Sequence, residues 1–305
     1  MCSIIEVVRL VIGITAGLSG TSLNVWIIGV NILDWWKVGS PSSVDLILSF
    51  IGLINCIQQI DITLDIIFAG SLSYVGFADE IHLRFLKVLI CLTSLNLWST
   101  VWLCTYYCCR IVSFTSGILF RLKMKIRILI PKLLAMSIIE SVIITIPSSW
   151  NVYVSDRNLG QNATNGQKII VTRVSYLVTL LIGTIVPLLL ALIPTGLTLI
   201  SLWRHTRRMK KNTPDLSTKA HIRASLTMVL LITLHITICA VSVFIVLSSF
   251  NTDHLARYIS WFVIYFYSTL QAVVLISGNS KLKNGGRQLL TQIYSWREVI
   301  FRDYK

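Results

Sequence analysis

Asp61 and Asp65 stand four residues apart in an apolar stretch, Val44–Phe68, and Glu140 stands in another, Leu129–Trp150. On a helix, the four-residue spacing puts Asp61 and Asp65 on one face. A carboxylate in a bilayer-spanning helix costs about 3 kcal/mol on insertion scales, so it normally turns to the bundle interior and finds a partner there. Two readings stand for the pair. It binds a cationic or hydrogen-bonding ligand, or Asp61 pairs with another helix while Asp65 sits at the interface. Glu140 reads as polar glue between helices, with a ligand group as its second reading. His235 lies in a run without Asp, Glu, Lys or Arg and reads as a hydrogen-bonded core histidine. None of the seven cysteines forms a CxxC pair and no second His is in register with His235, so no metal site is expected. No Gly-rich phosphate loop, HExxH or nucleophile–His–acid motif occurs. The chain is therefore not expected to be an enzyme, and no cofactor is expected.

The elements that hold these residues are set by hydropathy. Of 305 residues, 54% are hydrophobic and 13% charged, about half the charge of an ordinary soluble chain. That excludes a typical cytosolic enzyme, and the high apolar content excludes disorder. A bilayer core takes about 20 apolar residues of helix. Five runs lack Asp, Glu, Lys and Arg: Leu10–Leu33, Val88–Cys109, Val174–Trp203, Ala224–Phe250 and Tyr258–Ser280. With the two interrupted stretches they make seven spans, and lipid requires helices because each segment must satisfy its own backbone. We expect one domain over 1–305, an all-α seven-transmembrane bundle with helices near 7–33, 44–68, 84–113, 129–150, 174–203, 222–250 and 258–280 and a tail over 281–305.

Lys and Arg set the orientation. The net charge is +14, and 20 of the 27 cations fall on the side of the tail against 7 on the other. The C-terminus is thus expected in the cytoplasm and the N-terminus outside. The sequon Asn162-Ala163-Thr164 falls in a loop on the outer side, making Asn162 a candidate glycosylation site. The first apolar run reads as a signal-anchor helix, since it is too long for a cleavable leader and no basic segment precedes it. Placement explains the basic excess without a nucleic-acid partner; the expected surroundings are the lipid bilayer of the plasma membrane, crossed several times. Cys108 and Cys109 read as small buried hydrophobes, with palmitoylation as the other reading.

The cytoplasmic junctions carry a resemblance. Ser201-Leu202-Trp203-Arg204-His205-Thr206-Arg207-Arg208-Met209 resembles the SLxxHxxxM pattern of bitter taste (type 2 taste) receptors, a family of G-protein-coupled receptors. Pro214–Ala224 is similar to their DPSTxAHxxA segment, Leu275–Lys283 to LIxGNxKLK, and Asn31–Lys37 to NxIDWxK. In helix 3, Leu97-Trp98, Leu103–Tyr107, Arg110 and Ile111 resemble LW…LxxxYxxKI, with Arg for Lys. The resemblance runs end to end and is most specific from helix 5 to helix 6.

It also marks departures. The family's helix 2 Arg falls at Asn55, its helix 7 His-Ser at Gln271-Ala272, and a nearby Pro at Ser268. Its helix 3 pocket Trp and Asn fall at Leu89 and Thr93, a helix 6 Tyr at Ile238, and an acidic helix 7 position at Trp261. The inner half matches better than the outer half, so no ligand set is inherited.

The resemblance implies a receptor that binds a small bitter molecule in the outer half of the bundle and activates a heterotrimeric G protein of the gustducin or inhibitory type. The expected ligand residues are Asp61, Asp65, Leu89, Thr93, Ser94, Ile238, Trp261 and Tyr265. Trp261 and Tyr265 share a helix face, where stacking on an aromatic ligand competes with a role in the interfacial aromatic belt. The expected G-protein contacts are Tyr107, Arg110, His205, Met209 and His221, with Arg208 and Lys281 as neighbouring charge. A vomeronasal type 1 pheromone-like receptor is the alternative in class. A transporter or channel is the alternative outside it, although no internal repeat supports one.

Overall fold

The computed structural model describes residues 4–71, 78–112, 117–150, 152–155, 168–171, 181–208, 216–248 and 254–285. Seven long helices carry the chain: α1 (Ile4–Val38), α2 (Ser43–Ser71), α3 (Ala78–Ile111), α4 (Gly117–Trp150), α5 (Val186–Arg208), α6 (Leu216–Ser248) and α7 (His254–Gly278). Each contains a stretch long and apolar enough to cross a bilayer. A π-helical turn, Leu181–Ile185, leads into α5. Between α4 and α5, β1 (Val152–Ser155) pairs antiparallel with β2 (Lys168–Val171).

Several helices run past their charge-free runs. α1 continues to Val38, α4 begins at Gly117 and α6 at Leu216. A cation-free run marks the hydrocarbon core, whereas a helix continues into the headgroup layer, where long Lys and Arg side chains reach water.

The helices alternate in direction. α1 meets α2 in an antiparallel series: Gly13 against Ile66, Gly17 against Thr63, Gly20 against Gln59 and Asn24 against Asn55. Small residues on this face (Gly13, Ala16, Gly17, Gly20) let the two backbones approach, as in other membrane helix pairs. A Cβ at Gly13 would overlap the Ile66 side chain. α3 packs against α2, α4, α5 and α6, while α7 closes the ring against α1, α2 and α6. The surface is apolar, with Leu18, Ile139, Ile193 and Leu226 turned outward.

Polar residues fill the centre. The Gln271 amide donates to Asn96 Oδ1 at 2.7 Å, Asn96 to Asn55 Oδ1 at 2.5 Å, Asn55 to Asn24 Oδ1 at 3.0 Å, and Asn24 to the Gly20 carbonyl at 2.8 Å. One amide from each of α7, α3, α2 and α1 thus donates to the next in a single direction. All four residues are buried, where an amide without a partner is costly; of their four side-chain oxygens, only Gln271 Oε1 makes no hydrogen bond. Thr100 adds a second acceptor for Gln271 at 3.2 Å.

The end of the bundle where α1 finishes is locked by local chemistry. Gly39, at φ +79°, ends α1 with its N–H on the Trp35 carbonyl at 2.8 Å. Ser42 then caps α2: its hydroxyl accepts from the Asp45 N–H at 3.3 Å and donates to the Asp45 carboxylate at 2.7 Å. Lys281 bridges Asp34 at 2.7 Å and Asp45 at 2.9 Å. The chain can reach this position because Gly278 lies against Thr227, where a Cβ would overlap the threonine side chain. Asn279 Oδ1 then accepts from the Lys281 N–H at 3.0 Å and starts a new helical turn over 280–285. Leu282 is fully buried, and its carbonyl accepts from the Trp26 indole at 3.3 Å.

Two expectations follow. Asn96→Leu leaves Asn55 Oδ1 and Gln271 without their shared partner, at a cost of about 1–3 kcal/mol. It should lower the thermal midpoint of the detergent-purified protein by several degrees, whereas lipid-facing Leu226→Ala should not; equal midpoints would remove the amide chain as a stabilising element. Gly278→Ala should reduce the folded yield, and Thr227→Ala in the same chain should restore part of it, read by fluorescence-detected size exclusion.

Candidate functional site

Toward the end where α1 begins, one buried cluster gathers residues from five helices. Ala16 of α1, Ile62 and Ile66 of α2, Leu89 and Leu97 of α3, Ile238 of α6, and Ile264, Tyr265 and Tyr267 of α7 form its core, and Trp261 packs on it. Of the residues expected from sequence to bind a ligand, Leu89, Ile238, Trp261 and Tyr265 are therefore brought together. Trp261 and Tyr265 have ring centroids 6.1 Å apart. This places both rings inside the bundle, not in a lipid-facing belt.

The polar candidates are distributed around this cluster. Asp61 and Asp65 are both buried, one turn apart on α2 and within electrostatic reach of each other. Asp65 also bears on the Tyr265 hydroxyl. Thr93 Oγ1 accepts from Gln58 at 3.3 Å, and Gln58 Oε1 accepts from Ser268 at 3.4 Å. Ser268 thus ties α7 to Gln58 of α2 at the cluster's floor. Ser94 is turned the other way, towards Gly183 of the π-helical turn, so the neighbours Thr93 and Ser94 face different partners. Glu140 approaches the Trp98 indole between α4 and α3, although neither carboxylate oxygen reaches hydrogen-bond geometry. His235 is buried, with Nδ1 2.9 Å from the Leu231 carbonyl, the arrangement of a core histidine.

Arg9 is a residue that sequence reasoning counted only as charge. Its Nε donates to the Tyr265 hydroxyl at 3.1 Å, and its guanidinium carbon lies 5.3 Å from the Trp261 ring centroid. The available signal was a cation on the first turns of α1 followed one turn later by Gly13, which lets α1 close on α7. Gln59 was also missed. It donates to the Tyr265 carbonyl at 3.0 Å and to Thr269 at 3.5 Å, fixing α7 against α2.

The opposite end carries the other expected surface. Tyr107 is half-buried within electrostatic reach of Arg110 and Asp45. Arg110 is exposed and donates to the Tyr106 hydroxyl at 3.3 Å. His205 is exposed and His221 half-buried. Arg207 stacks over Trp203 at 4.2 Å. Lys281, expected as charge beside the G-protein contacts, is paired with Asp34 and Asp45. Cys108 and Cys109 are buried, which agrees with packing and not with acylation. Met209 and Asn162 lie outside the described residues, as does the side chain of Arg208. Among the described residues no group of three or more His, Cys, Asp or Glu could hold a metal ion.

Comparison with known proteins places this geometry in a family. The model of the taste receptor protein (TAS2R) family matches residues 1–294. The chain is 30% identical to taste receptor type 2 member 40 of Gallus gallus over 304 residues, covering 96% of each protein. It is 26% identical to taste receptor type 2 member 9 of Homo sapiens over 307 residues, covering 95% of each. It is 26% identical to taste receptor type 2 member 119 of Rattus norvegicus over 279 residues, covering 89% of this chain and 81% of that one. A seven-helix chain with this end-to-end match is a multi-pass plasma-membrane receptor, and it belongs to the taste receptor (TAS2R) family.

Proposed function

We propose that the chain is a G-protein-coupled receptor for small bitter-tasting molecules, with the N-terminus outside and the C-terminus in the cytoplasm. The observation that carries this reading is the separation of two sites by one polar core. An aromatic, partly charged cluster (Asp61, Asp65, Leu89, Thr93, Ile238, Trp261, Tyr265) occupies one half of the bundle. Tyr107, Arg110, His205 and His221 occupy the other end. Between them, Thr93 reaches Gln58 and Ser268, one turn above the Gln271–Asn96–Asn55–Asn24 chain.

In this reading the ligand lies on Trp261 and Tyr265, with its polar groups towards Thr93 and Asp65. Apolar burial supplies most of the affinity and the polar groups fix orientation. Ser94, turned to the π-helical turn, senses the ligand only through α5. A ligand shifts the receptor between states only by binding one of them better. A shift of α3 against α7 would change the acceptor that Gln271 holds, coupling the pocket to the far end. There Tyr107, Arg110, His205, Met209 and His221 meet a G protein of the gustducin or inhibitory type, by basic steering and an apolar groove.

In cells supplied with a gustducin-like G protein, a panel of bitter compounds should give a calcium response that vanishes without the G protein. Trp261→Ala, Asp65→Ala and Thr93→Val should each raise the half-maximal concentration several-fold at equal surface level; unchanged dose responses would move the pocket elsewhere. Arg110→Ala should lower the maximal response while leaving the half-maximal concentration within about twofold. A shift in potency with an intact maximum would instead put Arg110 outside the coupling surface.

A further inference from the structure

The aromatic pair at the proposed pocket already holds a cation. Arg9 lies on α1 one turn before Gly13, and the Gly13–Gly20 face brings α1 close enough to α2 and α7 to seat its guanidinium over Trp261. Its Nε is fixed by the Tyr265 hydroxyl at 3.1 Å. That bond uses one of five guanidinium N–H groups. Among the described residues the two terminal nitrogens have no hydrogen-bond partner. Arg9 is half-buried, whereas Tyr265 is 2% exposed. The guanidinium therefore stands at the edge of the buried apolar cluster, on its side towards the start of α1.

This arrangement sets the charge the site accepts. An ammonium ligand seeking the Trp261 face would meet the guanidinium there and be repelled. A planar oxyanion meets the opposite situation, a fixed fork of N–H donors that matches its two oxygens. Asp61 and Asp65 are buried on α2 in this half, and Asp65 bears on Tyr265 from its own helix. A hydrogen-bond donor on the ligand would turn to Asp65 while an anion turns to Arg9, with the ligand's body on the Leu89, Ile238 and Ile264 surface.

We propose that Arg9 is a ligand-anchoring residue and that the pocket takes a molecule joining a planar oxyanion, a carboxylate or sulfonate, to an apolar ring. This rests on the receptor reading above, and it names the ligand class of that site.

The test uses one ring with three head groups: 2-naphthoate, its methyl ester and 2-naphthylmethylamine, applied to cells expressing the full chain with a gustducin-like G protein. The carboxylate should act at a lower concentration than the ester, and the amine should be weakest. Arg9→Gln should raise the half-maximal concentration of the carboxylate at least tenfold and leave the ester within about twofold. Arg9→Lys, which keeps the charge but loses the fork, should fall between. Surface labelling sets equal receptor levels, and Tyr265→Phe, which frees Arg9 from its tether, should weaken the carboxylate less than Arg9→Gln does. An ester or amine as potent as the carboxylate, a silent carboxylate, or equal shifts of carboxylate and ester in Arg9→Gln would each overturn the proposal. A panel of neutral bitter compounds run in parallel separates the two readings. A G-protein-dependent response to any of them beside a silent carboxylate removes only the role of Arg9, while silence to every compound from receptor at the surface removes both.

Discussion

Lipid offers no hydrogen bonds, so every polar group inside the seven helices must be answered from within the protein. The four-amide chain from Gln271 to the Gly20 carbonyl is one response to that demand. It fixes the order of helices around the centre, because each amide needs its acceptor on a particular neighbour. The glycine face of α1 follows from it, since Asn24 reaches Asn55 only if the two backbones are close. The orientation of α7 follows as well, with Gln271 at the centre and Tyr265 and Trp261 under Arg9 two and three turns earlier.

The fold was legible in the sequence because hydropathy has one meaning in a bilayer. Uncharged runs of the right length have no other stable use, and five of them with two interrupted stretches leave little choice of architecture. The helix ends were less legible, as at α4 and α6, because the rule that finds the core is silent about the headgroup layer. The motifs at the Lys281 end were legible as family pattern but not as mechanism. Asn279 is a cap, Gly278 a place of close approach and Lys281 a bridge to two carboxylates, and each of these needs a partner that lies far away in sequence.

At the candidate pocket, residue type identified Trp261 and Tyr265, but not what stood on them. A lone arginine near a chain's start carries no periodicity, and its meaning appears only when α1 is laid beside α7. Thr93 and Ser94 show the same limit at smaller scale. They are adjacent and chemically alike, yet one faces Gln58 and the other Gly183. Adjacent helix positions point about 100° apart, and only the packing decides which of them meets the pocket.

The amides at the centre replace the Arg and His that the family pattern would set at Asn55 and Gln271. Moving one elementary charge through the membrane potential is worth about 2.3 kcal/mol per 100 mV. An arginine displaced along the bundle axis would make the change of shape answer to the voltage of the cell. Four carboxamides carry no net charge, so a rearrangement among them contributes no gating charge. An exchange of partners within this amide chain therefore has the same electrical cost in a resting or a depolarised cell.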